Sequence, residues 1–401
     1  MVSDQFNPVI FDLGSSTVRA GWAGHDQPKF VESSYMGRRI SDDSLEPSPI
    51  RFLNGGNVKR HQSSSPSPEP VDVIRAQGYD GKSLRWTIEQ DCLSLLSETL
   101  LFSPRGLETK AMERPLFCTH PTGASPDFKR MYYEYFMESV EVPAFFLGDT
   151  SVLALYAAGR TNGVCVDIGA SCTTVARIEK GGVLVDSSVY AVGGDSIDQF
   201  ITSRIDIEAP TFSGTESYVN NHKLAIAREI KHNACKCSHH PLHPVSPSAP
   251  LGRTTRGSSR KQIPVSSPVS SQDPILFKLP DGSEVDVSSV QEYAAESLFS
   301  PSTHFPGLTA ATLEKTKTDD DFILLTGGSA HFHGLHTRLV HELESKRSAT
   351  FTVFPFAQWT HRMYSSFLGA SILASLSTFG SLWVTPASYL ENGVDRLVHS
   401  K

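Results

Sequence analysis

The chain has 401 residues, of which 39% are hydrophobic and 20% charged, and a formal net charge of −7. Single hydrophobic cores stop growing at roughly 250–300 residues, so two lobes are expected rather than one. Mild acidity argues against a broad basic face for nucleic acid, so DNA is expected only as an indirect partner, and no run reaches the roughly 18 apolar residues that span a bilayer, so no membrane partner is expected.

Residues 8–13 (PVIFDL), a small-residue turn at Gly14, Ser15 and Ser16, and residues 17–22 (TVRAGW) predict a β-hairpin. Asp4, Asp12 and Arg19 break every apolar stretch near the start, so no secretory signal is read there. From 42 to 70 the composition turns to Ser, Pro, Asn and Gly. Such a stretch has too little apolar surface to offset its ordering entropy and is expected to be mobile. Helical periodicity returns over residues 84–100, and residues 117–120 (FCTH) predict a strand. Ser125 is placed to cap a helix with Pro126 at its first position and Asp127 in its first turn. Phe128, Met131, Tyr132, Tyr135 and Phe136 fall on one face of that helix.

A second hairpin follows: residues 163–168 (GVCVDI), a turn at Gly169, Ala170 and Ser171, then residues 172–177 (CTTVAR). Asp167 and Gly169 repeat the spacing of Asp12 and Gly14, about 155 residues on, as a duplicated α/β lobe would produce. Residues 238–273 are rich in Ser, Pro and His and carry Arg253, Arg256, Arg260 and Lys261. They read as an exposed loop, with nuclear localisation or partner binding as the sharper alternative. Residues 274–282 predict a strand and a turn, and 322–328 (FILLTGG) a buried strand ending in a glycine pair before a helix over 335–343. Residues 367–376 are apolar nearly all round, so that helix is expected to be buried on most faces.

Glycine tolerates positive φ, so an Asp-x-Gly turn can aim successive backbone N–H groups into one concavity that holds a polyphosphate. The flanking Asp can then hold a divalent cation, usually through water. A glycine-rich turn after a strand, here Thr326, Gly327 and Gly328, lets a base or ribose approach the backbone. One such hairpin is an ordinary tight turn. Two in order, followed by a strand–Gly-Gly–helix unit, resemble the actin, Hsp70 and sugar-kinase clan. The six cysteines are scattered and form no disulfide framework, which suits reduced thiols in the cytosol or nucleus. Cys235 and Cys237 with His232, His239, His240 and His243 could supply four zinc ligands, but the spacing is not that of a finger, and a His-rich surface loop is the simpler reading.

Residues 11–24 (FDLGSSTVRAGWAG) resemble the first phosphate hairpin of the actin family. Residues 325–335 (LTGGSAHFHGL) resemble its adenosine loop, residues 364–379 its C-terminal region, and residues 278–282 (KLPDG) a further stretch. The likeness covers nearly the whole chain apart from the two low-complexity segments. It implies an α/β fold of the actin, Hsp70 and sugar-kinase type, with two lobes, each holding a mixed five-stranded sheet, around a central cleft. The outer lobe is expected at 1–159, with 41–74 variable, and the inner lobe at 160–350, with 204–287 as its upper part. Residues 351–401 are expected to return to the outer lobe.

Within the family, residues 119–122, 130–134, 166–171 and 276–301 are most similar to nuclear actin-related proteins of fungal SWI/SNF- and RSC-type chromatin remodellers. That resemblance implies a non-catalytic nuclear subunit bound to the helicase-SANT-associated helix of the remodeller ATPase. A second actin-related protein and other chromatin-complex subunits are the implied neighbours. The C-terminal region with Phe367, Leu368, Ile372 and Trp383 would back the groove for that helix, read by apolar anchors at i, i+3 and i+4. The rival readings are an actin-like ATP-binding protein with weak ATPase and a cytoskeletal actin-related protein.

The resemblance also assigns ATP, with Mg2+, to Asp12, Gly14, Ser15, Ser16, Thr17, Arg19, Asp167, Gly169, Ala170, Ser171, Arg228, Lys231, Gly327 and Gly328. No catalytic residue is expected. Ser16 stands for a family glycine, Arg19 for a lysine, and Ala170 for an aspartate near the metal. Glu134 is matched to the water-positioning glutamine, Met363 to a lysine near the base, and Ala225 to a glutamate near the ribose. Phosphoryl transfer is nearly all positioning and electrostatics, so these changes are expected to cost more rate than affinity. Residual ATP binding is one outcome; the other is that Asp12 and Asp167 only brace their turns. Residues 301–326 are shorter than in actins by about a helix, and actin-like filaments are not expected.

Overall fold

The computed structural model describes residues 7–45, 71–104, 106–109, 113–207, 215–242, 274–279 and 282–399. Most of the two low-complexity stretches, including the basic cluster at 253–261, lies outside the described residues.

In chain order the first half runs β1 (Val9–Leu13), β2 (Thr17–Trp22), β3 (Phe30–Ser33), β4 (Tyr35–Arg39), β5 (Val71–Arg75), β6 (Gln77–Asp80), β7 (Arg85–Ile88), α1 (Gln90–Ser97), β8 (Leu116–His120), α2 (Pro126–Tyr133), β9 (Phe145–Asp149) and α3 (Thr150–Ala157). The second runs β10 (Gly163–Ile168), β11 (Thr173–Glu179), β12 (Val183–Tyr190), α4 (Gly194–Arg204), α5 (Glu216–Asn233), β13 (Leu276–Lys278), β14 (Glu284–Asp286), α6 (Glu296–Phe299), α7 (Leu308–Lys315), β15 (Ile323–Thr326), α8 (Leu335–Arg347), β16 (Val353–Phe354), α9 (Trp359–Met363), α10 (Ser365–Ser375) and α11 (Pro386–His399).

Two five-stranded sheets share one topology. Their orders are β3-β2-β1-β8-β9 and β12-β11-β10-β15-β16. In each, the first hairpin is antiparallel and the following strands add in parallel. The duplicated Asp-x-Gly pattern is therefore a duplicated sheet. The central strands β1 and β8 are buried at every position, as strands covered on both faces must be.

Helix α3 joins the lobes. Its Leu153 packs with Ile10 and Phe117 of the outer sheet and with Phe367 of α10, while Ala154 and Leu155 pack with Cys165, Ile178 and Leu324 on the inner one. Helix α10 lies against α3, with Phe367, Leu368, Ala370 and Ala374 buried and Ile372 39% exposed. The all-round apolar pattern thus reports a helix buried on most faces. Helix α11 returns to the outer lobe, where Tyr389 and Val398 join the core formed by β1, α1 and α2.

Helix α2 starts as its sequence dictates: the Ser125 side chain accepts from the Phe128 amide at 3.2 Å, and Pro126 occupies the first turn. The helix expected over 84–100 needs correction. Leu84 has φ of 52° and ends a turn, β7 follows as a strand, and α1 begins only at Gln90. The exposed–inward alternation of Arg85, Trp86, Thr87 and Ile88 has period two, too short a run to separate from helical spacing by eye.

Candidate functional site

The two hairpin turns face each other across a cleft of about 270 Å3 between the lobes. All the sequence-predicted positions line it: Asp12, Gly14, Ser15, Ser16, Thr17 and Arg19 from the outer lobe, and Asp167, Gly169, Ala170, Ser171, Arg228, Lys231, Gly327 and Gly328 from the inner. The turns close alike. The Gly14 amide donates to the Thr17 carbonyl at 2.9 Å, and the Gly169 amide to the Cys172 carbonyl at 2.9 Å. Ser34 Oγ braces the first turn by donating to the Gly14 carbonyl at 2.6 Å, and Gln77 Nε2 donates to the Leu13 carbonyl at 2.6 Å.

The two aspartates differ because of their cross-strand partners. Register sets Arg19 opposite Asp12 but Thr174 opposite Asp167. Arg19 Nη1 bonds Asp12 Oδ2 at 2.7 Å, and its Nη2 donates to Thr17 Oγ1 at 2.8 Å. Ser366 adds a donor to Asp12 Oδ2 at 2.9 Å, and Thr119 one to Oδ1 at 2.6 Å. Asp12, 2% exposed, is thus satisfied by protein on both oxygens. The half-buried Asp167 has no such partner among the described residues. Burial pushes its carboxyl up to about 6; Arg19 opposes the shift, and Asp12 and Asp149 add to it. Its carboxylate also explains the glycine at 327, where φ is +96° and a Cβ would sit 2.3 Å from Asp167 Oδ1 and 2.5 Å from the Ile168 carbonyl oxygen.

The basic pair of α5 is also engaged. Lys231, 4% exposed, lies 2.6 Å from Asp198 Oδ1 and donates to the Gly194 carbonyl at 3.1 Å. Arg228 bonds Asp198 at 3.2 Å and Asp195 at 3.5 Å. Burial pushes Asp198 up and Lys231 down from their ordinary values, each held back by the other.

Two sequence assignments change. Glu134 does not line the cleft; it lies beyond the end of α2, beside Arg130 and Tyr389. Thr150, at the start of α3, lines the cleft in its place. Ala225 is buried in α5, and His232, two turns on, lines the cleft instead. Burial, with Lys231 and Arg228 beside it, pushes His232 down to about 4, and burial does the same to the nearby His331. Both imidazoles are neutral at pH 7. The signal for His232 was its one-turn offset from Arg228 on the same helix face. Met363 lines the cleft as expected.

The zinc reading gains nothing. Cys235 and Cys237 are buried, with thiols pushed up to about 12 by burial, and His243 lies outside the described residues. Among the described residues no group of three or more His, Cys, Asp or Glu could hold a metal ion. Of the C-terminal groove residues, Phe367 and Leu368 are core, Trp383 packs edge-on to Phe379 at 5.1 Å, and Ile372 is exposed.

The residues fit an anion better than a metal. The amides of Ser15, Ser16, Ala170 and Ser171 have no backbone acceptor among the described residues, which suits phosphate oxygens. Asp12, the first expected cation holder, is already saturated by Arg19, Thr119 and Ser366. Ser15 Oγ and Ser171 Oγ are bonded at 2.8 Å, so the two turns touch where a polyphosphate would pass. A family model described as Actin matches residues 3–401 of the chain.

Proposed function

The chain belongs to the actin family, whose members generally bind nucleotide with Mg2+, and from that premise we propose that it is a non-catalytic structural subunit of a nuclear chromatin-remodelling complex. The observation that carries the non-catalytic part is the tied-down cleft. Asp12 is spent on Arg19, Gln77 is held between the Leu13 carbonyl and the Tyr132 hydroxyl, and the outer-lobe wall offers Thr150. The threonine hydroxyl lies 3.3 Å from the Thr122 amide and is too short to do the work of a carboxamide. In phosphoryl transfer nearly all acceleration comes from positioned charge and an oriented nucleophile, and these residues supply neither.

If nucleotide is retained, its phosphates would be held by the turn amides of Ser15, Ser16, Ala170 and Ser171, and its nucleoside end would lie near Gly327, Gly328, His232 and Met363. The unpartnered amides favour such binding without turnover. The metal side does not fit, because Asp12 is already taken by Arg19, Thr119 and Ser366.

The remodelling role is supported by the likeness of residues 119–122, 130–134, 166–171 and 276–301 to nuclear actin-related proteins. Affinity purification of the tagged full chain from nuclear extract should recover a remodelling ATPase together with a second actin-related protein. Recovery of cytoskeletal partners alone, with the chain outside the nucleus, would overturn that role.

A further inference from the structure

The upper edge of the cleft carries a charge network that joins two nucleotide-site residues, Arg228 and Lys231, to Arg75, Asp195 and Asp198. Arg75, at the end of β5 in the outer lobe, reaches across to Asp195 in the first turn of α4, with Nη2 2.7 Å from Oδ2. The pair is well shielded, with side chains 25% and 18% exposed. Arg75 also lies over the Tyr35 ring at 4.9 Å and bonds its hydroxyl, which fixes the guanidinium plane. On the inner side, Asp195 is held by Arg228, which shares Asp198 with Lys231.

Three further bonds cross the same gap. The Val73 amide donates to Ser217 Oγ at 3.1 Å, the Tyr79 amide to Ser171 Oγ at 3.2 Å, and Ser15 and Ser171 meet at 2.8 Å. Ser217 lies in the first turn of α5, which packs on β5. A Cβ on Gly81, in the turn between β6 and β7, would meet Ala191 Cβ at 2.6 Å, so the lobes touch there as well.

We propose that the Arg75–Asp195 pair is a latch that holds the two lobes closed by the protein's own bonds, without a nucleotide to tie them together. Three cations, Arg75, Arg228 and Lys231, share two carboxylates, Asp195 and Asp198, so neither carboxylate can leave without stranding a buried positive group. Arg75 is the member contributed by the outer lobe, and loss of its charge lets that lobe swing free. A lobe pair held shut in this way presents one fixed surface to a partner. The latch deepens the scaffold reading but does not depend on it, because phosphate release tests turnover and the latch has a separate readout.

That readout is amide hydrogen exchange on the full chain without nucleotide. The Val73 and Tyr79 amides donate across the cleft to Ser217 and Ser171, so their exchange reports closure. In the wild-type protein both should be protected. Arg75→Gln and Asp195→Asn should each speed their exchange about tenfold or more, while β1 and β10 amides keep their protection. Wild-type amides that exchange freely would overturn the latch. So would Arg75→Gln or Asp195→Asn proteins that keep β1 protected and show wild-type exchange at Val73 and Tyr79. Reading both single variants keeps the test decisive if one fails to fold.

Discussion

Replacing Gly369 with alanine should destabilise the protein by about 3 kcal/mol or more. Gly369 is where α10 crosses α3, and a Cβ there would sit 1.9 Å from the Leu153 carbonyl oxygen and 2.5 Å from its carbon. Those atoms are backbone of a helix packed on both sheets, so they cannot step aside as a side-chain tip can. Alanine gains about 1 kcal/mol of helix propensity over glycine, which opposes the clash without matching it. The helices must part, and the layer of Phe367, Phe117 and Leu153 opens with them. Denaturant unfolding checks this. Gly380→Ala is the control, because nothing lies within 4 Å of a Cβ there. An unchanged midpoint for Gly369→Ala would mean that the helices do not meet at that residue.

The two hairpin aspartates should respond in opposite directions to loss of charge. Asp12→Asn leaves the Arg19 guanidinium beside a neutral amide in a site 2% exposed at the carboxylate, and breaking such a buried pair costs about 3–5 kcal/mol. Asp167→Asn removes a charge that the fold disfavours. The folded-state carboxyl titrates at about 6 against an ordinary 3.8, chiefly through burial. A raised folded value means that stability from the bound proton is full below about pH 3.8 and is lost as pH climbs through about 6. At pH 7.5 the wild-type carboxylate therefore costs about 3 kcal/mol that asparagine avoids. Unfolding curves at pH 4 and pH 7.5 should show Asp167→Asn gaining on the wild type as pH rises. A gain that shrinks with pH would contradict the environment described for Asp167.

The fold was legible because its two hairpins carry their own punctuation. Short apolar runs on either side of Gly14 and Gly169 define strands, and the repeated Asp-x-Gly spacing marks a repeated sheet. The lining of the cleft was legible for the same reason, since turns that match in sequence close with matching hydrogen bonds. What each polar group does there was harder to read. Arg19 can be placed in the cleft from its position in β2, but that it folds back onto Asp12 depends on Thr119 and Ser366 arriving from other elements. Glu134 was matched along a helix whose inward face is set by Phe128, Tyr132 and Phe136, leaving Thr150 at the start of α3 to face the cleft. The Arg75–Asp195 pair joins residues from different lobes, and no local pattern announces it.

Phosphate release from ATP in the presence of Mg2+, measured on the purified full chain, tests the central claim most directly. With Asp12 held by Arg19 and a short Thr150 in place of a carboxamide at the start of α3, release should stay at the level of a protein-free control, whether or not nucleotide binds. Magnesium-dependent release above that control, abolished by Asp12→Asn or Asp167→Asn, would contradict a cleft that has lost the groups for hydrolysis.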